Sequence, residues 1–130
     1  MRIVKLSKKD PDFTTHVDVR AFFYEVIKNR KPPGRFRVTA NKIRQDGLYH
    51  GEPLFFTYQA RVVFTARAGS GLLPNDDEGH LKYPNFFVID ISTLEEADED
   101  FYRVEKLLHK ATGDTGNLVR SQAWNHNFNI

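Results

Sequence analysis

The sequence predicts a single α+β domain, in which a small mixed or antiparallel β-barrel of about five to six strands is flanked by two main helices. Three observations predict this class. Short segments rich in β-branched and aromatic residues alternate polar and apolar positions, and two longer segments place apolar residues at helical spacing. No internal repeat, low-complexity tract or domain boundary divides the 130 residues, a length that buries one core without disulfides or metals.

Composition excludes several classes of protein. Hydrophobic residues make up 40% and charged residues 28% of the chain, which is ordinary for a folded domain. The absence of cysteine excludes a disulfide framework, a thiolate zinc site and a cysteine nucleophile. Apolar runs are too short to cross a bilayer, and the N-terminus lacks the pattern of a signal peptide. We therefore expect a cytoplasmic protein that is not a membrane protein and uses no metal or cofactor.

Charge is distributed unevenly along the chain. Residues 1–67 carry fourteen Lys or Arg and six Asp or Glu, a balance of +8, whereas residues 68–130 carry five and eleven, a balance of −6. Such asymmetry is compatible with a basic surface that attracts a polyanion, and equally with two halves that pair internally.

The first third of the chain contains signals for a strand, a helix and a second strand. Residues 2–6 alternate as a half-buried strand, and Thr15 and Asp18 have the spacing of a capping box that opens a helix. Five apolar residues of this helix are predicted to form its buried stripe: Val19, Phe22, Phe23, Val26 and Ile27. The Pro-Pro-Gly run at 32–34 ends the helix, and residues 35–39 alternate as the second strand.

A β-hairpin is the strongest structural signal. The segments 53–58 and 61–68 are aromatic and β-branched, and only Gln59 and Ala60 separate them. This pair suits a type I′ turn poorly, so a turn of two or of four residues remains open. In the two-residue register Phe55 faces Phe64 and Thr57 faces Val62.

The second half is predicted to contain a long loop, a strand and a helix. Residues 69–84 lack periodicity, and residues 86–90 form a compact apolar strand. Ser92 or Thr93 is predicted to cap a helix with acidic first turns. The predicted buried stripe of that helix is Leu94, Ala97, Phe101, Val104, Leu107, Leu108 and Ala111. Residues 117–124 are a candidate closing strand, and residues 121–130 a candidate for a loosely ordered tail.

The order of these elements resembles the PUA-like superfamily, which includes the ASCH, EVE and YTH domains. The resemblance rests on the pattern from Gly51 to Tyr58, in which two hydrophobic residues precede a tyrosine, and on the returning strand at 61–66. The ASCH signature G-x-K-x-x-E-x-R and the N-terminal tryptophan motif of EVE domains are absent. The resemblance therefore implies a single PUA-like domain over residues 1–130 and recognition of nucleic acid or a modified base, without specifying the ligand.

Two groups of residues are candidates for nucleic-acid contacts. Guanidinium groups on strands suit phosphate, and the candidates are Arg35, Arg37, Arg61 and Arg67. Aromatic rings stack on an extruded base, while loop side chains bond its edge, and the candidates are Tyr58, Trp124, Ser70, Asn75 and Asp76. Outward arginines that only solubilise the sheet and a tryptophan that seals the core remain the alternatives.

The leading hypothesis is a reader domain that binds DNA, RNA or a nucleoside and recognises a flipped or modified base. One alternative is an amidohydrolase acting on a modified nucleoside, with its acid and base drawn from Asp76, Asp77, Glu78 and His80. No catalytic motif is complete, so a non-enzymatic role is favoured. A third hypothesis is a regulatory module that forms a homodimer through the aromatic hairpin. The oligomeric state stays open.

Overall fold

The computed structural model describes residues 1–39, 43 and 48–112, apart from the side chains of residues 108, 111 and 112. In these residues a six-stranded mixed sheet curls into a half-barrel, accompanied by two α-helices. The predicted α+β class with a small barrel-like sheet is confirmed. Trp124, the candidate closing strand and the candidate tail lie outside the described residues.

The elements follow the chain in an order that leaves the sheet open at one seam. The strands are β1 (Arg2–Leu6), β2 (Arg35–Val38), β3 (Pro53–Tyr58), β4 (Arg61–Ala68), β5 (Leu73–Pro74) and β6 (Asn85–Asp100). The α-helices are α1 (His16–Ala21) and α2 (Phe101–Thr112). The strand order is β1-β3-β4-β6-β2, with β5 paired to the start of β6, and only β1 and β3 run parallel. Because β1 and β2 end this order, they border the open seam.

The first helical segment begins as the sequence predicts. The Thr15 hydroxyl accepts from the Asp18 N–H at 3.2 Å, and the Asp18 carboxylate accepts from the Thr15 N–H at 3.0 Å, which completes the capping box. After α1 the chain widens into a π-helical turn, Phe22–Val26, and closes with a 3₁₀ turn, Ile27–Asn29. None of the helices in the described part of the chain has the length and apolar character that a bilayer crossing requires.

The prediction that Val26 belongs to the buried stripe of this helical segment is wrong, and the π-helical turn explains why. Phe22 and Ile27 are buried, but Val26 is 43% exposed. The reason is the i→i+5 hydrogen bond from the Ile27 N–H to the Phe22 carbonyl, which adds a residue to the turn and rotates Val26 away from the core.

Aromatic rings fill the space between this helical segment and the sheet. Phe23 stacks on Phe64 with ring centroids 4.4 Å apart and meets Phe56 edge-on at 4.9 Å. Phe36 of β2 contacts Phe87 of β6 at 5.2 Å. Buried aromatic pairs of this kind add packing energy beyond their area, so this interior aromatic cluster anchors the half-barrel.

The hairpin turn contains two residues. Gln59 and Ala60 have φ values of 50° and 61°, so both adopt the left-handed conformation of a type I′ turn. The twist of β3 and β4 therefore imposes a conformation that neither residue favours on its own.

The hairpin register is confirmed at one predicted pair and wrong at the other. Thr57 lies opposite Val62 as predicted, but Phe64 lies opposite Phe56 rather than Phe55. A bulge between Phe56 and Thr57 inserts one residue into β4 and shifts the pairing.

The predicted start of the second helix is wrong. Strand β6 continues to Asp100, and α2 begins only at Phe101. The Thr93 hydroxyl accepts from the Arg67 N–H at 2.8 Å and donates to the Asp90 carbonyl at 2.7 Å, where the register of β4 against β6 is irregular. The hydroxyl that resembles a helix cap in the sequence thus fills a bulge in the sheet.

The apolar stripe predicted for that helix is divided between two elements. Leu94 and Ala97 belong to β6 and pack against the core, whereas Phe101 and Val104 pack from α2. Leu107 is 63% exposed and lies outside the stripe. Hydrogen bonding to β4 outweighs the local helical pattern, because β4 would otherwise lack a partner on that side.

Candidate functional site

A cavity of about 210 Å³ lies at the open seam between β1 and β2, and we call it the seam pocket. Its walls come from the end of β1, the 3₁₀ turn Pro11–Phe13, the end of the first helical segment, β2 and Tyr83. These elements are distant in sequence and meet because the sheet curls without closing.

The floor of the seam pocket is aromatic and continuous with the core. Phe13 meets Phe22 edge-on at 4.9 Å, and Phe22 meets Phe36 at 5.8 Å. All three are buried, whereas Tyr83 is partly exposed at the rim. A planar ligand would therefore meet apolar surface below and an aromatic ring at the edge.

Three cations and two carboxylates complete the lining. The cations are Lys5, Arg30 and Arg37, and the carboxylates are Asp10 and Asp12. The Arg30 guanidinium lies over the Phe22 ring at 5.1 Å and donates to the Arg35 carbonyl at 3.0 Å. Burial first, and then the nearby positive charge of Arg37, lower the pKa of Arg30. An anion placed near both guanidinium groups would offset that repulsion.

Residues 75–83, which we call the acidic loop, cross over the two arginines of β2. Arg37 donates from Nε to Asp77 Oδ2 at 2.7 Å and from Nη2 to Glu78 Oε1 at 3.1 Å. Burial alone would raise the pKa of the Asp77 carboxyl, but hydrogen bonds from the Gly79 N–H, the Asn75 amide and Arg37 outweigh it and lower that pKa. The acidic loop is thus held to β2 by charge-assisted bonds.

Arg35 and Asn75 form a second, buried connection between β2 and the acidic loop. The Arg35 guanidinium stacks on the Phe86 ring at 3.8 Å and donates to the Asn75 side chain and to Asp76 at 3.1 Å. Asn75 in turn donates to the Tyr83 carbonyl at 2.7 Å. This chain of contacts holds Tyr83 at the rim of the seam pocket.

The other described candidates lie apart from the seam pocket. Arg61 bonds Asp98 at 2.7 Å, and Arg67 donates to the Gly51 carbonyl at 2.9 Å. Tyr58 is buried and donates its hydroxyl to the Phe13 carbonyl at 2.6 Å.

Ser70 joins neighbouring strands. Its hydroxyl accepts from the Val88 N–H at 2.9 Å and donates to the Gly71 carbonyl at 2.8 Å. Of the eight predicted site residues within the described part of the chain, Arg37 alone lines the seam pocket. The structure therefore brings the candidates Arg35, Asn75 and Asp76 into contact with one another and places Arg61, Arg67, Tyr58 and Ser70 elsewhere.

Sequence reasoning missed Lys5, Arg30 and Tyr83. Arg30 reads as an ordinary cation at a helix end and Lys5 as the outward residue of a strand. No local pattern marks either one, because the seam pocket forms from element ends that only the topology brings together.

Internal ion pairs account for part of the uneven charge distribution. Arg20 bonds Glu96 at 2.9 Å and Arg61 bonds Asp98, in addition to the bonds between the β2 arginines and the acidic loop. All of these pairs join the basic first half to the acidic second half. Of the two explanations for the asymmetry, internal pairing is observed.

The described residues contain no cluster of side chains suited to binding a metal ion. In the ranges 1–39, 43 and 48–112, no three His, Asp or Glu side chains are grouped to hold an ion. The carboxylates of the acidic loop bond to arginines instead.

No protein-family model matches the sequence, and the comparisons with curated proteins and with solved structures return no match either. The structure supports the resemblance at the level of a curled mixed sheet with two helices, consistent in outline with a small β-barrel.

Proposed function

We propose that this half-barrel is a PUA-like reader that binds nucleic acid by taking one nucleotide into the seam pocket. The observation that carries the proposal is that Arg30 and Arg37 line the same small cavity, whose floor is aromatic. Aromatic rings stack on bases of any sequence, and guanidinium groups bond phosphate oxygens.

The size of the seam pocket favours one unit of a polymer. At about 210 Å³ it is smaller than the roughly 300–1,000 Å³ of pockets that enclose whole drug-sized ligands. A single base with part of its sugar suits such a space, and the rest of the strand would run outside along the seam.

The two carboxylates support a base as the bound group. Asp10 and Asp12 line the same pocket as the cations Lys5, Arg30 and Arg37. Carboxylate oxygens accept from exocyclic amino groups, as they do from cytosine N4. We therefore expect preference for bases that carry an amino group over thymine or uracil.

The hydrolase alternative gains less support from the geometry. Its acid and base were to come from the acidic loop, where Asp76, Asp77 and Glu78 all bond to arginines. None of these side chains, nor that of His80, lines the seam pocket, so binding is the better-supported function.

Fluorescence anisotropy with labelled single-stranded RNA and DNA of one sequence tests the proposal. Affinity should fall as NaCl rises from about 50 to 200 mM, because phosphate contacts release counterions. Lys5→Gln and Arg30→Gln should each weaken binding about tenfold, the effect of losing a hydrogen bond to a charged group.

Two matched variants show whether the effect belongs to the seam pocket. Lys106→Gln removes the same charge from the exposed surface of α2 and should bind as the wild type does. Arg30→Lys keeps the positive charge but removes the guanidinium group that bonds the Arg35 carbonyl. Comparing it with Arg30→Gln separates the effect of the charge from the effect of that bond. Absence of binding to either nucleic acid, or equal weakening by Lys106→Gln, would overturn the proposal.

A further inference from the structure

The two carboxylates that bond Arg37 are exposed to very different degrees. The side chain of Asp77 is 16% exposed, whereas that of Glu78 is 86% exposed. Both meet the same guanidinium group, so their unequal surroundings indicate unequal roles.

Asp77 is fixed by bonds to both of its oxygens. Oδ1 accepts from the Asn75 amide at 2.9 Å and from the Gly79 N–H at 2.8 Å, and Oδ2 accepts from Arg37 Nε at 2.7 Å. A carboxylate held at three points cannot leave without breaking the acidic loop. It therefore fixes the plane of the Arg37 guanidinium.

Glu78 makes a single hydrogen bond within the described residues, the 3.1 Å bond from Arg37 Nη2. Exposed ion pairs of this kind contribute little, because solvent screens both charges. A ligand anion can thus replace the Glu78 carboxylate at Nη2 at small cost, while Nε stays bonded to Asp77.

The charge balance of the seam pocket depends on this contact. Its lining carries three cations and two carboxylates, a balance of +1, and the Glu78 carboxylate on Arg37 lowers this balance to 0. Asp77 is shared with a further cation, since Arg35 Nε lies 3.3 Å from Asp77 Oδ2. With Glu78 bonded, the pocket attracts anions weakly. Withdrawal of Glu78 from Arg37 removes one of the opposing charges.

We infer that Asp77 is the positioning residue for Arg37, whereas Glu78 occupies the place of a ligand phosphate and competes with it for Nη2. The inference rests on the proposed function, since it takes the seam pocket as the anion site. It adds a selection step, because a ligand group binds Arg37 only if it bonds the guanidinium group more strongly than the Glu78 carboxylate does.

Anisotropy with the same labelled oligonucleotide separates the two roles. Glu78→Gln should strengthen binding about fivefold, the equivalent of one exposed ion pair. Asp77→Asn should weaken it, because Arg37 loses its fixed orientation. Glu99→Gln, which removes an exposed carboxylate from β6, is the matched control and should leave affinity unchanged.

A second readout keeps the inference independent of nucleic-acid binding. In ¹H–¹⁵N spectra, inorganic phosphate should shift the Arg37 Nε–H signal at lower concentration in Glu78→Gln than in the wild type. If oligonucleotides do not bind but this difference is seen, the inference stands and the proposed function falls. If oligonucleotides bind the wild type and Glu78→Gln equally, the inference is overturned and the proposed function stands.

Discussion

The interior aromatic cluster and the seam pocket are built from the same kind of side chain but differ in what surrounds it. In the interior, Phe23 and Phe64 are fully buried and stacked. At the seam, Phe22 and Phe36 continue that aromatic surface to a rim where Arg30 and Arg37 lie. The aromatic surface thus reaches the seam pocket where β1 and β2 leave the half-barrel unclosed.

This difference shows how a small domain can offer aromatic surface without weakening its core. The seam pocket uses the outer edges of rings whose other sides are packed. Charged groups surround the exposed part and keep it from acting as a simple apolar patch. The two regions should therefore respond differently to the same kind of mutation.

Removing an aromatic ring provides the largest contrast. Phe23→Ala should lower the free energy of unfolding by about 3–5 kcal/mol, because it leaves a cavity in a fully buried site. Tyr83→Ala, at the rim, should cost about 1 kcal/mol or less and weaken oligonucleotide binding instead. Urea unfolding and anisotropy measure both effects, and equal losses of stability would contradict the comparison.

The connection into β2 should be nearly as sensitive. Gly34 has a φ of +89°, and a Cβ there would clash with the Ile89 carbonyl oxygen. Gly34→Ala should therefore cost at least about 2 kcal/mol, since the backbone of β6 must move in addition to the strain of positive φ.

Gly51→Ala is the matched variant for that prediction. Gly51 has a φ of +87°, but a Cβ there meets nothing within 4 Å. It should cost only the conformational strain, about 1–2 kcal/mol. If thermal unfolding finds the two variants equally destabilised, the contact of Gly34 with β6 is not what makes this position sensitive.

Acid should weaken the attachment of the acidic loop. Because the pKa of Asp77 is lowered in the folded state, its stabilisation is present above the unfolded pKa of about 3.9 and is lost as pH falls through the lower folded value. The stability difference between the wild type and Asp77→Asn should therefore narrow below about pH 4. Urea unfolding from neutral to acidic pH measures it, and a constant difference would exclude this role for Asp77.

The smallest effect is expected at Arg61. Its bond to Asp98 is exposed, with 48% of the Arg61 side chain and 83% of the Asp98 side chain accessible. Arg61 also lies on β4, which β3 separates from β1 and therefore from the seam pocket. Arg61→Gln should change the free energy of unfolding by about 0.5 kcal/mol or less and leave oligonucleotide binding intact. If Arg61→Gln lowers the affinity as much as Lys5→Gln does, the strand arginines predicted from the sequence contact phosphate after all.

Structural features that depend on neighbouring residues in the chain could be predicted from the sequence. Features that depend on a partner distant in the chain could not. The Thr15 and Asp18 capping box and the two hairpin strands follow from neighbours in the chain. Thr93 has the same chemistry as a helix cap, yet it fills a bulge, since only the position of β4 decides which partner its hydroxyl meets. Arg37 was identified as an anion-binding candidate, but its bonds to the acidic loop depend on residues about forty positions away.

By itself the sequence determined the α+β class, the capped first helix, the hairpin and the aromatic nature of the core, because these depend on periodicity and on contacts within a few residues. Tertiary structure alone decided the length of β6, the pairing of the basic and acidic halves, and the seam pocket. Each of these joins side chains far apart in the chain, and their energies exist only once the sheet has curled and brought the ends of β1 and β2 together.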